Sequence, residues 1–371
     1  MTSIARKVAR INWPLLILVV LLGAFGIFAI YSATWMRDQN FWNRQLVWLL
    51  VGFAVCVVVS LRDYQWVRVG AIPLYVAAVA ALVATHFFGE TVYGARSWLN
   101  FGMFNFQPSQ LATIASILVL ALFLSGNEEM PAPLRIAVCG VIVAVPFVLI
   151  LIQPDLGSAI TWVPVFIAML YAARIPARYL ISMIILALAV IPLLVNFGLR
   201  TYQRQRIVTF LDPDLDPRGA GWTINQSLIA IGSGGWDGKG FKAPNTLNEL
   251  GFLPSTIVHN DFIFSVIGEQ HGFVGGMLLL LAYVALIGLG LLIALRAADD
   301  LGRLLAVGLT TLLFTHVFMN IGMTIGVTPI TGLPLPLVSY GGSFVLAVLF
   351  SVGLLQSIWV HRKALNQKKK G

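Results

Sequence analysis

The chain has 371 residues, of which 58% are hydrophobic and 11% charged, and its mean hydropathy is +0.88. Charged residues make up about a quarter of an ordinary soluble domain, so this composition excludes a soluble core with an anchor and implies one integral membrane domain over 1–371. The net charge of +9 lies largely in tails and short loops, which argues for a topology signal and against a nucleic-acid surface.

The first apolar run begins near Pro14, behind Arg6, Lys7 and Arg10. It continues to about Ser32 with no small-residue cleavage pattern, so it reads as a retained first span. Runs of crossing length predict ten spans, at 14–33, 46–61, 69–88, 108–125, 134–152, 159–173, 179–198, 262–295, 304–325 and 344–360. The sixth is short, and the eighth is long enough to tilt or to include an interfacial portion. The expected fold class is an all-α polytopic membrane protein. Cys56 and Cys139 fall inside apolar runs, which argues against a disulfide framework or a thiolate metal site.

On this map one side carries fifteen Lys and Arg and the other nine, six of those nine in the single long connection 199–262. Long loops vote weakly in the positive-inside rule, so both termini are expected in the cytoplasm and the 199–262 loop outside. The basic tail 361–371, ending in Lys368-Lys369-Lys370, is most simply a topology signal, with an anionic-lipid contact secondary.

Four outward connections can then converge. They are 89–107, with Tyr93-Gly94-Ala95-Arg96-Ser97-Trp98; 153–158, Gln153-Pro154-Asp155-Leu156-Gly157-Ser158; the long loop; and 326–343. The last is rich in Gly and Pro but uncharged. It is expected to dip into the bundle, where irregular backbone persists only if protein or a water-filled cavity satisfies it.

Asp261 is the leading candidate for chemistry. It stands between the polar loop and the apolar start Phe262-Ile263-Phe264, where partial desolvation would raise its pKa and suit it to act as a base near neutrality. A helix N-cap is the equal and compatible alternative. The loop cations Arg204, Arg206, Arg218, Lys239 and Lys242, with glycines in Gly232-Ser233-Gly234-Gly235 and Gly238-Lys239-Gly240, could receive phosphate; solvated charges are the plainer reading. Trp222, Ile224, Leu228 and Ile229 form an amphipathic section that could lie on the bilayer surface. Asp155 reads best as the cap of the sixth helix. Glu269, two turns into the eighth span, is costly there and presumptively functional, with His271 as a proton-handling or packing neighbour. The five histidines show no zinc spacing.

Several stretches together resemble one family. Gln153-Pro154-Asp155-Leu156-Gly157-Ser158-Ala159, Tyr202-Gln203-Arg204-Gln205-Arg206, Phe210-Leu211-Asp212-Pro213, Gly219-Ala220-Gly221-Trp222, Ile231-Gly232-Ser233-Gly234-Gly235, Asn260-Asp261-Phe262-Ile263-Phe264 and Gly332-Leu333-Pro334-Leu335-Pro336-Leu337-Val338-Ser339-Tyr340-Gly341-Gly342-Ser343 are similar to motifs of the SEDS family (shape, elongation, division and sporulation). Compact tails and the 329–335 wording favour its elongation branch over its division branch. The resemblance implies a ten-span peptidoglycan glycosyltransferase that polymerises lipid II on the outer face of the cytoplasmic membrane. It also implies assistance by Mg²⁺ or Mn²⁺, with Asp261 a possible ligand, and partnership with a class B penicillin-binding protein and other elongation-complex membrane proteins. By motif match the family's essential carboxylate falls on Asp261. Arg204, Arg206, Lys239, Arg96 and Ser343 become candidates for contact with the lipid pyrophosphate, and Asp155, Glu269 and Trp98 for support.

The chain departs from the family pattern at Gln110 and Thr113, where a Glu and a Lys are common, and at Gln270, where a second Glu often follows Glu269. Two other readings fit the composition. A lipid II flippase predicts essential ionisable groups near the midplane, whereas the charge here is concentrated in one outer loop. A non-catalytic scaffold for the transpeptidase is the other, and the lost charges bear on it.

Overall fold

A computed structural model describes residues 7–37, 40–92, 95–100, 102, 105–193, 201–216 and 219–368. Its helices are α1 (Trp13–Thr34), α2 (Phe41–Leu61), α3 (Val67–Phe88), α4 (Pro108–Gly126), α5 (Ala132–Ile152), α6 (Leu156–Ile160), α7 (Trp162–Ala172), α8 (Ala177–Leu193), α9 (Thr201–Leu211), α10 (Ala220–Ser233), α11 (Ile263–Leu295), α12 (Asp300–Thr324) and α13 (Gly342–Lys368). Eight of the described helices are long and apolar enough to cross a membrane. Two shorter apolar stretches, Leu156–Ala172 and Ala177–Val190, stand where the sixth and seventh spans were expected.

The centre is set by which apolar helices bury both faces. In α12 and α13, 78% of the apolar window is buried, against 22% for Tyr64–Phe88. Accordingly α12 packs on α4, α7 and α11, and α13 lies along α2, while α3 and α5 turn apolar side chains such as Val69 and Val141 outward. Helices apolar all round belong in lipid or in a bundle core, and this fold uses both.

Three expectations change. The 89–107 connection is not plain loop. It holds a three-stranded antiparallel meander, β1 (Glu90–Val92), β2 (Ala95–Asn100) and β3 (Asn105–Phe106), with Glu90 opposite Trp98 and Leu99 opposite Phe106. The amphipathic section of the long loop packs into the protein as well as presenting an exposed apolar edge. It is α10, which buries Gly221, Ile224, Ser227 and Ala230 against α11 and leaves Leu228 and Ile229 exposed. Ser227 Oγ, 2.6 Å from Ser265 Oγ and from Thr324 O, ties it to α11 and α12.

The third change concerns α11, which is two helices joined at a break. Gly272 has φ 61° and ψ −161°, a conformation open essentially only to glycine. The loop fills the break: Lys239 N and Gly240 N donate to Glu269 O and Gln270 O, each at 2.9 Å, while Phe273 N and Val274 N donate to Gly235 O and Trp236 O. Apolar residues on both sides of Gly272 make the break invisible to hydropathy.

Candidate active site

The site forms where the 326–343 segment meets the start of α11. Leu333, Leu335, Leu337, Val338 and Ser339 are buried, as the absence of charge required. Their irregular backbone is satisfied by side chains from elsewhere. Asn320 Nδ2 donates to Leu333 O at 2.7 Å, Tyr283 Oη to Pro336 O at 2.7 Å, and Gln45 Nε2 to Ser339 O at 3.0 Å. Within the segment Ser339 Oγ accepts from Leu335 N, and Gly341 N donates to Gln45 Oε1. A polar group left unpaired at this depth would cost about 1–3 kcal/mol, so these five contacts hold the segment in one shape.

That shape positions Asp261. Asn320 Nδ2 also donates to Asp261 O at 3.0 Å, so one amide joins the catalytic candidate to the 326–343 segment. Ser339 Oγ donates to Asn260 O, Tyr340 N donates to His259 O at 3.0 Å, and the His259 ring stacks on Phe41 with centroids 4.1 Å apart. Asp261 itself is half-buried, and its N–H donates to Ile257 O. The N-cap of α11 is Phe262 with no side-chain cap, so the capping role expected for Asp261 is not the one it fills.

Among the described residues the Asp261 carboxylate makes no hydrogen bond or ion pair. It faces Gly332, where a Cβ would stand 3.5 Å from Asp261 Oδ2. Burial pushes its pKa up to about 7, and the nearby Arg206 guanidinium pulls the other way. Arg206 is held by donation from Nη1 to Ile330 O at 3.3 Å. Arg204, two positions earlier on α9, is exposed. The arrangement is a carboxylate poised near neutrality with the Arg206 guanidinium of α9 nearby.

The other candidates divide. Lys239 Nζ pairs with Glu269 Oε1 at 2.7 Å, and Leu247 N donates to the same oxygen at 2.7 Å. Lys239, expected to meet pyrophosphate, is thus the counter-ion of a fully buried carboxylate, and its charge is already partnered. The loop glycines likewise spend their N–H groups on protein: Gly235 N on Gly232 O, Gly238 N on Gly234 O and Gly240 N on Gln270 O. Gly234 and Gly238 allow close packing against the α11 backbone around residues 268–270. Lys242 caps the faces of Tyr31 and Trp35 at 3.7 and 5.0 Å from their centroids. His271 packs edge-on against Phe25.

Asp155 is the N-cap of α6, accepting from Ser158 N at 3.0 Å, and its Oδ2 accepts from Ser158 Oγ and Gln107 Nε2. Gln107 N donates to Ser343 Oγ at 3.4 Å, and Ser343 Oγ donates to Asn105 O at 2.9 Å. Asp155 and Ser343 thus knit three connections together. Gln110 and Thr113 are buried, with Thr113 Oγ1 donating to Ser109 O, and Gln270 Oε1 accepts from Ser32 Oγ at 2.7 Å. Thr113 and Gln270 thus hydrogen-bond to neutral groups where the family pattern has charges. Trp98 is half-buried in β2; the side chains of Arg96 and the whole of Arg218 lie outside the described residues.

Sequence reasoning passed over Asn320, Gln45 and Gln107. The signal was available: an Asn within an apolar run is costly in lipid and marks an interior contact.

The comparisons agree with this architecture. Residues 12–364 match the family model of FtsW, RodA and SpoVE, described as "Cell cycle protein". The peptidoglycan glycosyltransferase MrdB of Escherichia coli K12 is 40% identical over 353 residues, covering 95% of this chain and 94% of that one. Peptidoglycan glycosyltransferase RodA of Treponema pallidum is 33% identical, covering 95% and 98%. Among solved structures, a chain from a study of polymerization and crosslinking by a peptidoglycan synthase complex superposes with a TM-score of 0.82 at 30% identity, covering 96% of this chain and 99% of that one. The rod shape determining protein RodA of Thermus thermophilus gives 0.72 at 28% identity, covering 95% and 97%. The chain belongs to the FtsW/RodA/SpoVE family, the SEDS family, and is a membrane-embedded peptidoglycan glycosyltransferase.

Proposed function

We propose that this enzyme polymerises lipid II at the Asp261 end of the bundle, facing outward, with both termini cytoplasmic. The observation that carries the reading is Asp261 itself, a carboxylate without a hydrogen-bond partner among the described residues, tuned to about 7 beside Arg206. Its carboxylate takes the proton from the acceptor GlcNAc 4-hydroxyl as that oxygen attacks the anomeric carbon of the lipid-linked strand. The bond from that carbon to the pyrophosphate oxygen breaks, the configuration inverts, and undecaprenyl pyrophosphate leaves with the bonding pair. Arg206 and the exposed Arg204 stabilise the charge that develops there.

Among the described residues no group of three His, Cys, Asp or Glu converges. Mg²⁺ usually needs only one or two carboxylates, completed by substrate phosphates and water, and Asp261 meets that requirement. When bound, the cation would neutralise pyrophosphate charge. A class B penicillin-binding protein is the proposed crosslinking partner, supported by the likeness to a chain from a study of a peptidoglycan synthase complex.

The test is incubation of purified protein with lipid II and Mn²⁺ in detergent, followed by gel separation of the product. Glycan strands are expected. Folded, partner-binding protein that yields none would overturn the reading.

A further inference from the structure

At the bundle end opposite Asp261, the segment leading into α1 meets the C-termini of α11 and α13. Trp359 of α13 stands at the centre, with the Arg362 guanidinium 3.5 Å and the Arg296 guanidinium 5.6 Å from its ring centroid. Arg10, Arg362 and Trp359, with Ala9, Ile11 and Val360, line a cavity of about 270 Å³. Arg10 and Arg296 are close enough for their charges to act on Arg362.

The carboxylates nearby in sequence are engaged elsewhere. Asp299 accepts from Tyr64 and Gln65 and lies 3.7 Å from Arg68; Asp300 pairs with Arg303 at 2.6 Å. Among the described residues no carboxylate pairs with Arg10, Arg296 or Arg362. Arg362 and Arg296 share one indole and Arg10 faces Arg362 across the cavity, so the like charges repel, and that cost is relieved when an anion enters beside Arg362. Guanidinium forks match phosphate oxygens two at a time. A Trp at the end of a spanning helix belongs at headgroup depth, and the apolar residues lining the cavity suit the first carbons of a lipid's acyl chains.

We infer that this cavity binds the phosphate headgroup of an anionic phospholipid, a site separate from the polymerising centre and independent of the role given to Asp261. The sequence pointed only to the Lys368-Lys369-Lys370 tail for such contact, whereas the structure assembles arginines from three distant segments.

The experiment is native mass spectrometry of the full chain in detergent, offered phosphatidylglycerol and phosphatidylcholine in equal amounts, and in a separate arm inorganic phosphate. Phosphatidylglycerol should be retained in preference, with Arg10→Gln/Arg362→Gln weakening that retention about 25-fold and Arg10→Gln alone about fivefold. Arg303→Gln, at the same end but paired with Asp300, should change it less than about twofold. The single Arg10→Gln, on an exposed side chain before α1, keeps the test valid should the double variant not fold. Equal retention of the two lipids, or retention unchanged by Arg10→Gln, overturns the inference. Saturation by inorganic phosphate with no lipid preference also overturns it, in favour of a soluble-anion site.

Discussion

Asp261 and Glu269 flank the same half-helix and have opposite surroundings. Glu269 is fully buried, yet Lys239 Nζ and Leu247 N occupy one of its oxygens, so its charge is spent on joining the loop to the α11 break. Asp261 is less buried but has no such partner among the described residues, and burial raises its pKa instead. Burial alone therefore does not separate these two carboxylates. What distinguishes them is whether the protein has already used the charge.

The largest expected effect breaks the comparison if it fails. Asp261→Asn should lower polymerisation by about 10²–10⁴-fold, the usual contribution of a placed general base, while the protein purifies as wild type does. Near-normal product from that variant would remove Asp261 from the mechanism. Glu269→Ala should do the reverse. It strands Lys239 and costs about 3 kcal/mol, at the low end for a broken buried pair because Lys239 is 28% exposed, so folded yield and Tm fall. Lys239→Ala added to it should recover part of that loss. Normal thermal stability in Glu269→Ala would show that the pair is not structural.

The pH dependence sharpens the contrast. A base must be deprotonated, so with its pKa near 7 polymerisation should fall about tenfold per unit as pH drops below 7. A profile flat to pH 5 would exclude Asp261 as the titrating base. Stability moves in the other direction. A carboxyl whose pKa is higher folded than unfolded binds more protons when folded, so stability declines as pH rises from about 4 to about 7. Asp261→Asn should lack that decline and melt a few degrees above wild type at pH 8, read by thermal melts in detergent. The smallest effect belongs to Asp155. Asp155→Ala removes the α6 cap and should cost about 1 kcal/mol, with polymerisation reduced far less than in Asp261→Asn. A loss of activity equal to that of Asp261→Asn would place Asp155 in the chemistry.

Hydropathy was enough to find eight crossing helices and the two shorter ones, because length and apolar content are local properties. The uncharged 326–343 segment was legible for a related reason: buried irregular backbone must shed charge, and its composition records that. Asp261 was legible by its place at a polar–apolar boundary and by motif resemblance. Its choice between cap and base was not, since capping depends on φ and ψ at Phe262 and on where one carboxylate turns. The glycines of 232–240 misled for the same reason. Glycine reports a close approach or an unusual φ but not the partner, and here the partner in the structure is the α11 break.

The sequence by itself determined a polytopic membrane enzyme of one family and named the carboxylate on which its activity is proposed to turn. Tertiary structure alone decided which charges were free to act. Lys239 and Glu269 lie thirty residues apart and cancel each other. Arg206 on α9 and Asp261 ahead of α11 are far apart in the chain, yet the guanidinium opposes the rise that burial gives the carboxylate pKa. Arg10, Arg296 and Arg362 are scattered along the chain and gather around one tryptophan. Charge acts through space, falling with distance and rising with burial, and neither quantity is written in the order of residues.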